Sequence, residues 1–386
     1  MDMKVGKILV TSFFPRHVGG LQSHVDLLVS CLEGKGLNVS HFQRLPPKLS
    51  FYRKAVLFLQ NGLKRERALL HLYVEEMDKF LKSISPLMRN VELIHCHDVF
   101  AVFCLRNVSL PLVLTVHGPL SLEHRMMGWK DEKSLEKLRI IESEAYRRAN
   151  AIIAVDTGQK DYVVKDFQIS EDKIHVIRNA VDFQKILKLS QSENCLSSMA
   201  TNLAPFALVP RRLVAKNGVA VAIKAMRFLK DIDLKLVIAG DGPERRQLVS
   251  LVKMLGLEDR VVFLGMIQHE AIFPLLRDAH MVIIPSVPVS GVVEATSIAA
   301  LEAMALGKIV IASNIGGLRE VVNDGVDGFL FEPGNEKALA EIMRNCFLNQ
   351  TLRVEIGERA RAKILSSYDI SPWISAILNV YNGVIQ

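Results

Sequence analysis

The chain lacks the features that assign a class at once. Its five cysteines (Cys31, Cys96, Cys104, Cys195 and Cys346) are scattered with no CxxC pair. That argues against a zinc knuckle or a disulfide scaffold and fits a reducing, cytosolic setting. No run reaches the roughly 18–20 apolar residues of a membrane span. Only Ile8 to Thr11 separates Lys7 and Ser12, too little for the apolar core of a signal peptide. A GxGxxG dinucleotide fingerprint is missing, which speaks against a nicotinamide enzyme. No zinc-finger or RNP motif accompanies the basic residues, and no repeat of solenoid period is visible.

What remains is an ordinary globular composition: 386 residues, 49% apolar and 23% charged, with a formal charge of +7. The length suggests two or three domains. Short apolar bursts alternate with amphipathic stretches. KILVTS (7–12), VELIHC (91–96), PLVLTV (111–116), AIIAVD (151–156) and KIHVIRN (173–179) form one series. FALVPR (206–211), LKLVIAG (234–240), RVVFLG (260–265), HMVIIPS (280–286) and KIVIAS (308–313) form a second. Continuous apolar runs mark strands buried on both faces, and helices between them imply parallel βαβ units. The expected fold class is α/β, with two Rossmann-like doubly wound domains facing across a cleft. The first domain is read as residues 1–190 and the linker as 191–204. The second domain spans 205–370, and a C-terminal helix, 371–386, crosses back to the first. Ligands in such sheets sit beyond the C-terminal strand ends.

Residues after those bursts therefore carry the functional expectations. Gly19 and Gly20 precede an amphipathic helix with Leu21, Val25, Leu28 and Leu32. Paired glycines allow close backbone approach, and a helix N-terminus favours an anion. A tight strand–helix turn explains them equally well. His117 ends the strand PLVLTV, where it can hydrogen-bond a phosphate or sugar oxygen or sit as an ordinary loop histidine. In HCHD (95–98), His95 and His97 share a strand face, but no third and fourth ligand stands at metal-site spacing. No metal site is expected. The densest signal lies in 291–334, where Glu294 and Glu302 are separated by seven residues around Thr296 and Ser297. Either of the latter can cap a helix whose first amides suit a diphosphate. Glu302 would stand ~9 Å along that helix. Alone, a pair of acids at this spacing is weak.

In order and spacing, GGLQSH, TVHG, VIRNAVD, RRLVAKNG, LVIAGDGPERRQL, VFLG, EATSIAALEAMALG, SNIGGLREVV and GVDGFLFEPG are far more specific. Over nearly the whole chain the sequence resembles glycosyltransferase family 4, retaining enzymes of the GT-B fold. The resemblance implies that Gly20 offers its backbone to the donor phosphate and that His117 lies near the transferred sugar. It implies that Arg212 and Lys216 bind the diphosphate, that Glu294 contacts the donor sugar and that Glu302 contacts the ribose. Amides near Thr296, Ser297 and Ile298 complete the cradle, and Gly19, Asn179 and Gly240 join the donor-binding set. It also implies a metal-independent enzyme with no cofactor, in keeping with the missing DxD-like motif.

Three positions depart from the family pattern. RLVAKNG places Asn217 where the lysine usually stands and Lys216 one residue earlier; NAVD lacks its glycine at Ala180; and Ala295 replaces the glycine after the first acid. These bear on donor identity more than on reaction type. The expected function is retaining transfer from a nucleotide diphosphate sugar to an acceptor hydroxyl, in lipid-linked glycan, glycolipid or cell-surface polysaccharide synthesis. Rival readings are a sugar-nucleotide epimerase or hydrolase on the same fold, or a silent nucleotide-sugar-binding protein.

The charge has an address. Residues 1–190 hold 28 Lys plus Arg against 21 acids, and 191–386 hold 20 of each. Within 41–70, seven bases (Arg44, Lys48, Arg53, Lys54, Lys64, Arg65 and Arg67) face Glu66 alone. A helix read over 51–73 places the bases on one arc and apolar residues on the other. Arg53, Lys54, Lys64 and Arg65 are assigned to the acceptor or membrane side. Two readings stand: a helix packed on its own domain with a solvated basic face, or a peripheral contact with anionic lipid on the cytoplasmic face. A phosphorylated or lipid-linked acceptor is favoured and nucleic acid is not.

Overall fold

The computed structural model describes residues 6–14, 20–44, 65–192, 203 and 205–386. It divides into two compact units. Met1–Arg178, Ser290–Val292 and Trp373–Gln386 make the first, and Asn179–Val289 with Val293–Pro372 the second.

The first unit carries β1 (Lys7–Ser12), β2 (Asn38–Gln43), β3 (Leu93–Cys96), β4 (Leu112–Val116), β5 (Ala151–Ala154) and β6 (Ile174–Val176). They form one parallel sheet in the order 2-1-3-4-5-6. The second carries β7 (Phe206–Pro210), β8 (Lys235–Ala239), β9 (Val261–Gly265), β10 (Met281–Ile284), β11 (Val310–Ser313) and β12 (Phe329–Phe331). These are again all parallel, in the order 12-11-10-7-8-9. Both sheets are α/β and doubly wound. β3, β4, β5, β10 and β11 are buried along their whole length because helices cover both faces. Each sheet starts in its interior and grows both ways. This leaves a switch point between β1 and β3 in one unit and between β7 and β10 in the other.

Two sequence expectations change. The reading that carried the first domain to residue 190 meets a boundary at Arg178. Beyond it, Phe183 and Ile186 of the helix Phe183–Ser190 pack into the second unit's core beside Phe206, Leu208 and Ile364. The helix read over 51–73 lies outside the described residues up to 64, and the described helix is Arg65–Ile84. It runs well past Tyr73 because Met77, Phe80 and Ile84 continue its buried face. Arg67, assigned to a solvated arc, instead grips Asp131 with both of its bonds at 3.1 Å. Arg44 is likewise spent on Glu76, at 2.6 Å, and lies over the Phe13 ring.

One buried acid of the first unit has a measurable consequence. Glu142, on the helix Glu132–Arg148, accepts from the hydroxyls of Tyr162 and Tyr146 and from the Ser121 amide. Burial pushes its carboxyl up to about 7, against the opposing pull of those hydrogen bonds and of Arg139. Its folded value exceeds its unfolded one. It therefore favours the fold fully below the unfolded pKa near 4.5, and that contribution is lost as pH rises through about 7. The shift is worth about 3 kcal/mol. Thermal melts from pH 4.5 to 8.5 should show this fall in the wild type and a flatter profile in Glu142→Gln; parallel profiles would refute it.

Candidate functional site

In the second unit the polar groups gather at the β7/β10 switch point. Arg211 directly follows β7, and its side chain is buried. Its Nη2 donates to Glu294 Oε2 at 2.7 Å, to Asn217 Oδ1 at 2.5 Å and to Ser286 Oγ at 3.1 Å; Nη1 donates to Ser297 Oγ at 3.3 Å. Ser286 also donates to Glu294, at 3.3 Å. Burial by itself raises the Glu294 carboxyl, but the Arg211 guanidinium, the charge of Lys216 and the Ser286 hydroxyl together hold it below the usual carboxylate range. Glu294 is thus a buried carboxylate kept ionised by a fixed cation.

Arg212, the basic residue singled out from the sequence, has an exposed side chain. Its carbonyl accepts from Asn217 Nδ2 at 2.7 Å, so Asn217 ties the two arginines' loop together. Lys216 is half-buried in the turn Ala215–Asn217.

The loop carrying Glu294 is fixed from below. The Gly317 amide donates to the Glu294 carbonyl at 2.9 Å. A Cβ on Gly316 would stand 2.1 Å from that same carbonyl, and one on Gly317 would stand 2.6 Å from the Thr296 nitrogen. Only glycines let the SNIGG loop approach this closely. Asn179 Nδ2 donates to the Thr296 carbonyl at 3.1 Å. Gly240 follows β8 with its Cα against Arg211: an added Cβ would meet the Arg211 carbonyl at 2.0 Å.

The helix expected to begin around Thr296 is Ile298–Ala305, with Ser297 at its N-cap. Ser297 makes no capping bond with its side chain; its hydroxyl faces Arg211 instead. Glu302 lies on this helix, buried, and pairs with His269 Nε2 at 2.5 Å. That hydrogen bond raises the His269 pKa.

The first unit gathers histidines at its own strand ends. His97 follows β3 and His117 follows β4; His97 Nδ1 lies 3.3 Å from His117 Nε2. His24, from the helix Gly20–Gly34, sets its ring edge against both, with centroids 5.3 Å and 4.7 Å away. His95 sits beneath His97 and is fully engaged, by Tyr381 Oη at 2.6 Å and Thr115 Oγ1 at 2.7 Å. Burial, together with the neighbouring imidazoles, drives the pKa of His97 and His117 well below the ordinary value and that of His95 to about 3. Asp98 does not join the cluster. Its Oδ2 takes the Ser12 hydroxyl and the amides of Phe13 and Phe14 while its Oδ1 caps the helix Val99–Cys104. Gly20 opens its helix exposed. Gly19, Arg53, Lys54 and Lys64 lie outside the described residues, as does the side chain of Arg65.

Sequence reasoning therefore assembled Glu294, Ser297, Thr296 and Asn179 in one neighbourhood but missed Arg211, Ser286, His269 and His24; it considered His97 only as a partner of His95. Arg211 carried a signal: an adjacent base beside a motif whose usual lysine is absent. The ion pair is nearly enclosed, with side-chain exposures of 9% and 11%. Arg211→Met should cost about 3–5 kcal/mol in urea unfolding by stranding Glu294. Replacing both residues with Met should recover most of that loss. A double-variant loss equal to the sum of the two single losses would mean the two are not coupled.

Comparison with known proteins completes the site. The family model described as Glycosyltransferase Family 4 matches residues 18–185, and that described as Glycosyl transferases group 1 matches 200–363. An uncharacterized glycosyltransferase of Methanocaldococcus jannaschii is 29% identical, with 96% of each chain covered. Sucrose-phosphate synthase of Thermosynechococcus elongatus shares the fold with a TM-score of 0.78 at 21% identity, covering 98% of both chains. Anabaena HepE in complex with UDP-glucose has a TM-score of 0.73 at 21% identity, covering 98% of this chain and 99% of that one. The two sheets are thus those of the GT-B fold. With one matched span covering the histidine-bearing sheet and the other the Arg211–Glu294 network, the chain belongs to glycosyltransferase family 4 and is a glycosyl-transferring enzyme.

Proposed function

We propose that the enzyme moves a sugar from a nucleoside diphosphate sugar to an acceptor hydroxyl with retention at the anomeric carbon, and that it does so without a divalent cation. The observation that carries this reading is Glu294, held as a buried carboxylate by Arg211 immediately before a helix whose N-cap residue, Ser297, makes no capping bond with its side chain. A carboxylate of this kind accepts hydrogen bonds from sugar hydroxyls. The amides at Ile298 favour the diphosphate. The exposed guanidinium of Arg212 and the ammonium of Lys216 supply the cationic charge that a metal supplies elsewhere. Glu302 takes the ribose, and His117 stands on the sugar side. Gly240 and Asn179 serve the donor by holding the Arg211 and Thr296 backbones.

The chemistry needs little beyond stabilisation of the leaving diphosphate by groups already in position. As the glycosidic C–O bond to the diphosphate breaks, the acceptor oxygen bonds to the anomeric carbon. The acceptor proton passes to the departing phosphate oxygen. The bound UDP-glucose of HepE makes uridine the first nucleotide to try. For the acceptor, the bases at 53, 54, 64 and 65 support a lipid-linked or phosphorylated substrate at a cytoplasmic anionic membrane surface. Arg44 and Arg67, the bases of the same stretch whose side chains are described, are instead ion-paired with Glu76 and Asp131.

A thermal-shift screen with UDP-, GDP- and ADP-sugars should single out one nucleotide, with stabilisation of ~2.7 kcal/mol at a hundredfold excess over its dissociation constant. With that donor and an acceptor, NMR should show the donor's anomeric configuration kept in the product, and turnover should persist in EDTA. An inverted product, turnover abolished by EDTA, or sugar released with no acceptor required would each overturn the reading. Arg212→Ala should lower turnover a hundredfold or more. Neutralising Arg53, Lys54, Lys64 and Arg65 together should weaken sedimentation with phosphatidylglycerol vesicles, at ~1 kcal/mol per base near the surface. Unchanged sedimentation and acceptor affinity would remove the membrane-side assignment.

A further inference from the structure

We propose that His24, His97 and His117 form a binding site for a divalent transition metal of the zinc class. One ring nitrogen from each lies within 4.8 Å of the other two. Between His97 Nδ1 and His117 Nε2 the separation is 3.3 Å. Two ligands about 2.0–2.1 Å from one tetrahedral zinc stand roughly 3.3–3.4 Å apart, so this pair already has the spacing of a chelate. His24 meets both rings edge-on, at interplanar angles of 65° and 85°, and offers the third nitrogen within 4.8 Å of the other two.

His24 and His97 are buried, so an ion held between the three rings would be shielded from bulk water. His97 Nε2 is buried and has no hydrogen-bond partner among the described residues. It can carry the ring's single proton when Nδ1 gives its lone pair to the metal. His95 is excluded as a ligand because Tyr381 and Thr115 occupy both its nitrogens. It acts instead as a floor for the His97 ring, 4.3 Å away, while Trp373 backs the His24 ring at 5.2 Å. Three imidazoles with no carboxylate select zinc, copper or nickel over magnesium or calcium. The half-buried His117 leaves a fourth position for water.

An occupied site has a consequence that rests on the role proposed above for His117, although binding itself does not. The metal claims the lone pair His117 would offer to substrate, so zinc inhibits transfer, which EDTA reverses. The site is a brake on a reaction that itself uses no metal.

Titrating the metal-free full-length protein with Co²⁺ should give the visible d–d bands of a four- or five-coordinate nitrogen site, saturating at one equivalent and displaced by Zn²⁺. His24→Gln and His97→Gln should each abolish the bands. His269→Gln, which removes the separate His269–Glu302 pair, should keep them. Absence of bands in the wild type, or their survival in both of the first two variants, overturns the site. If circular dichroism shows those variants unfolded, zinc K-edge fine structure of the wild type decides: three imidazoles at about 2.0–2.1 Å support the site, and fewer overturn it. Binding without inhibition would cancel the braking consequence and leave the site standing. An enzyme inactive with every donor would count against the proposed function, whatever the cobalt spectrum shows.

Discussion

A guanidinium buried at the end of a central strand must be neutralised where it lies, and the second unit is arranged around that requirement. Arg211 leaves β7 with its side chain turned into protein, where an unpaired cation would cost several kcal/mol. Glu294 supplies the opposite charge, and Asn217, Ser286 and Ser297 accept further hydrogen bonds from the guanidinium's two terminal nitrogens. The partners come from three stretches of chain, around 217, 286 and 294–297. Neutralising one arginine therefore fixes the turn after β7, the segment after β10 and the entry to the helix Ile298–Ala305 together. The glycines follow from the same demand, since Gly240 and Gly316 are where other loops must touch this assembly backbone to backbone.

The first unit meets the same problem at its strand ends with the opposite solution. Its buried polar groups are imidazoles, which escape the cost of burial by giving up the proton rather than finding a counter-charge. The acid nearby, Asp98, is committed to the Ser12–Phe14 loop and to a helix cap, so it does not stabilise an imidazolium. One switch point is thus a fixed charge pair and the other a neutral, lone-pair-rich cluster. The two differ in what they present: a fixed ionised carboxylate in the first case, neutral nitrogen lone pairs in the second.

Legibility in the sequence tracked burial. All ten apolar bursts are strands: the interior ones because two covered faces leave no polar positions, and the edge strands β6 and β9 although they are partly exposed. The two strands not read from the sequence, β2 and β12, are edge strands and half-exposed. NVSHFQ carries the mixed polarity that an edge allows, and FLF sits inside a glycine-rich turn. The extent of the helix Arg65–Ile84 was hidden for a similar reason: its outer face is charged, and only the spacing of Leu70, Met77, Phe80 and Ile84 reveals the buried stripe. Residues near Glu294 were found because their motif is local. Arg211 and His24 were missed because their partners stand 83 and 93 positions away in the chain, a distance that no spacing rule spans.

One departure from the family pattern, the asparagine at 217, becomes intelligible from the hydrogen bonds it makes. Where the pattern has lysine, Asn217 presents its Oδ1 to Arg211 at 2.5 Å and its Nδ2 to the Arg212 carbonyl. A lysine at 217 would bring a second cation against the guanidinium in a place with one carboxylate to balance it. Asparagine, which both donates and accepts, bonds the guanidinium and the neighbouring carbonyl at once without adding charge. The cation has not been lost from this corner of the fold. It has moved from one end of the turn to the other, keeping Glu294 ionised and leaving Arg212 exposed, with Lys216 near enough to add its charge to that of Arg211 on Glu294.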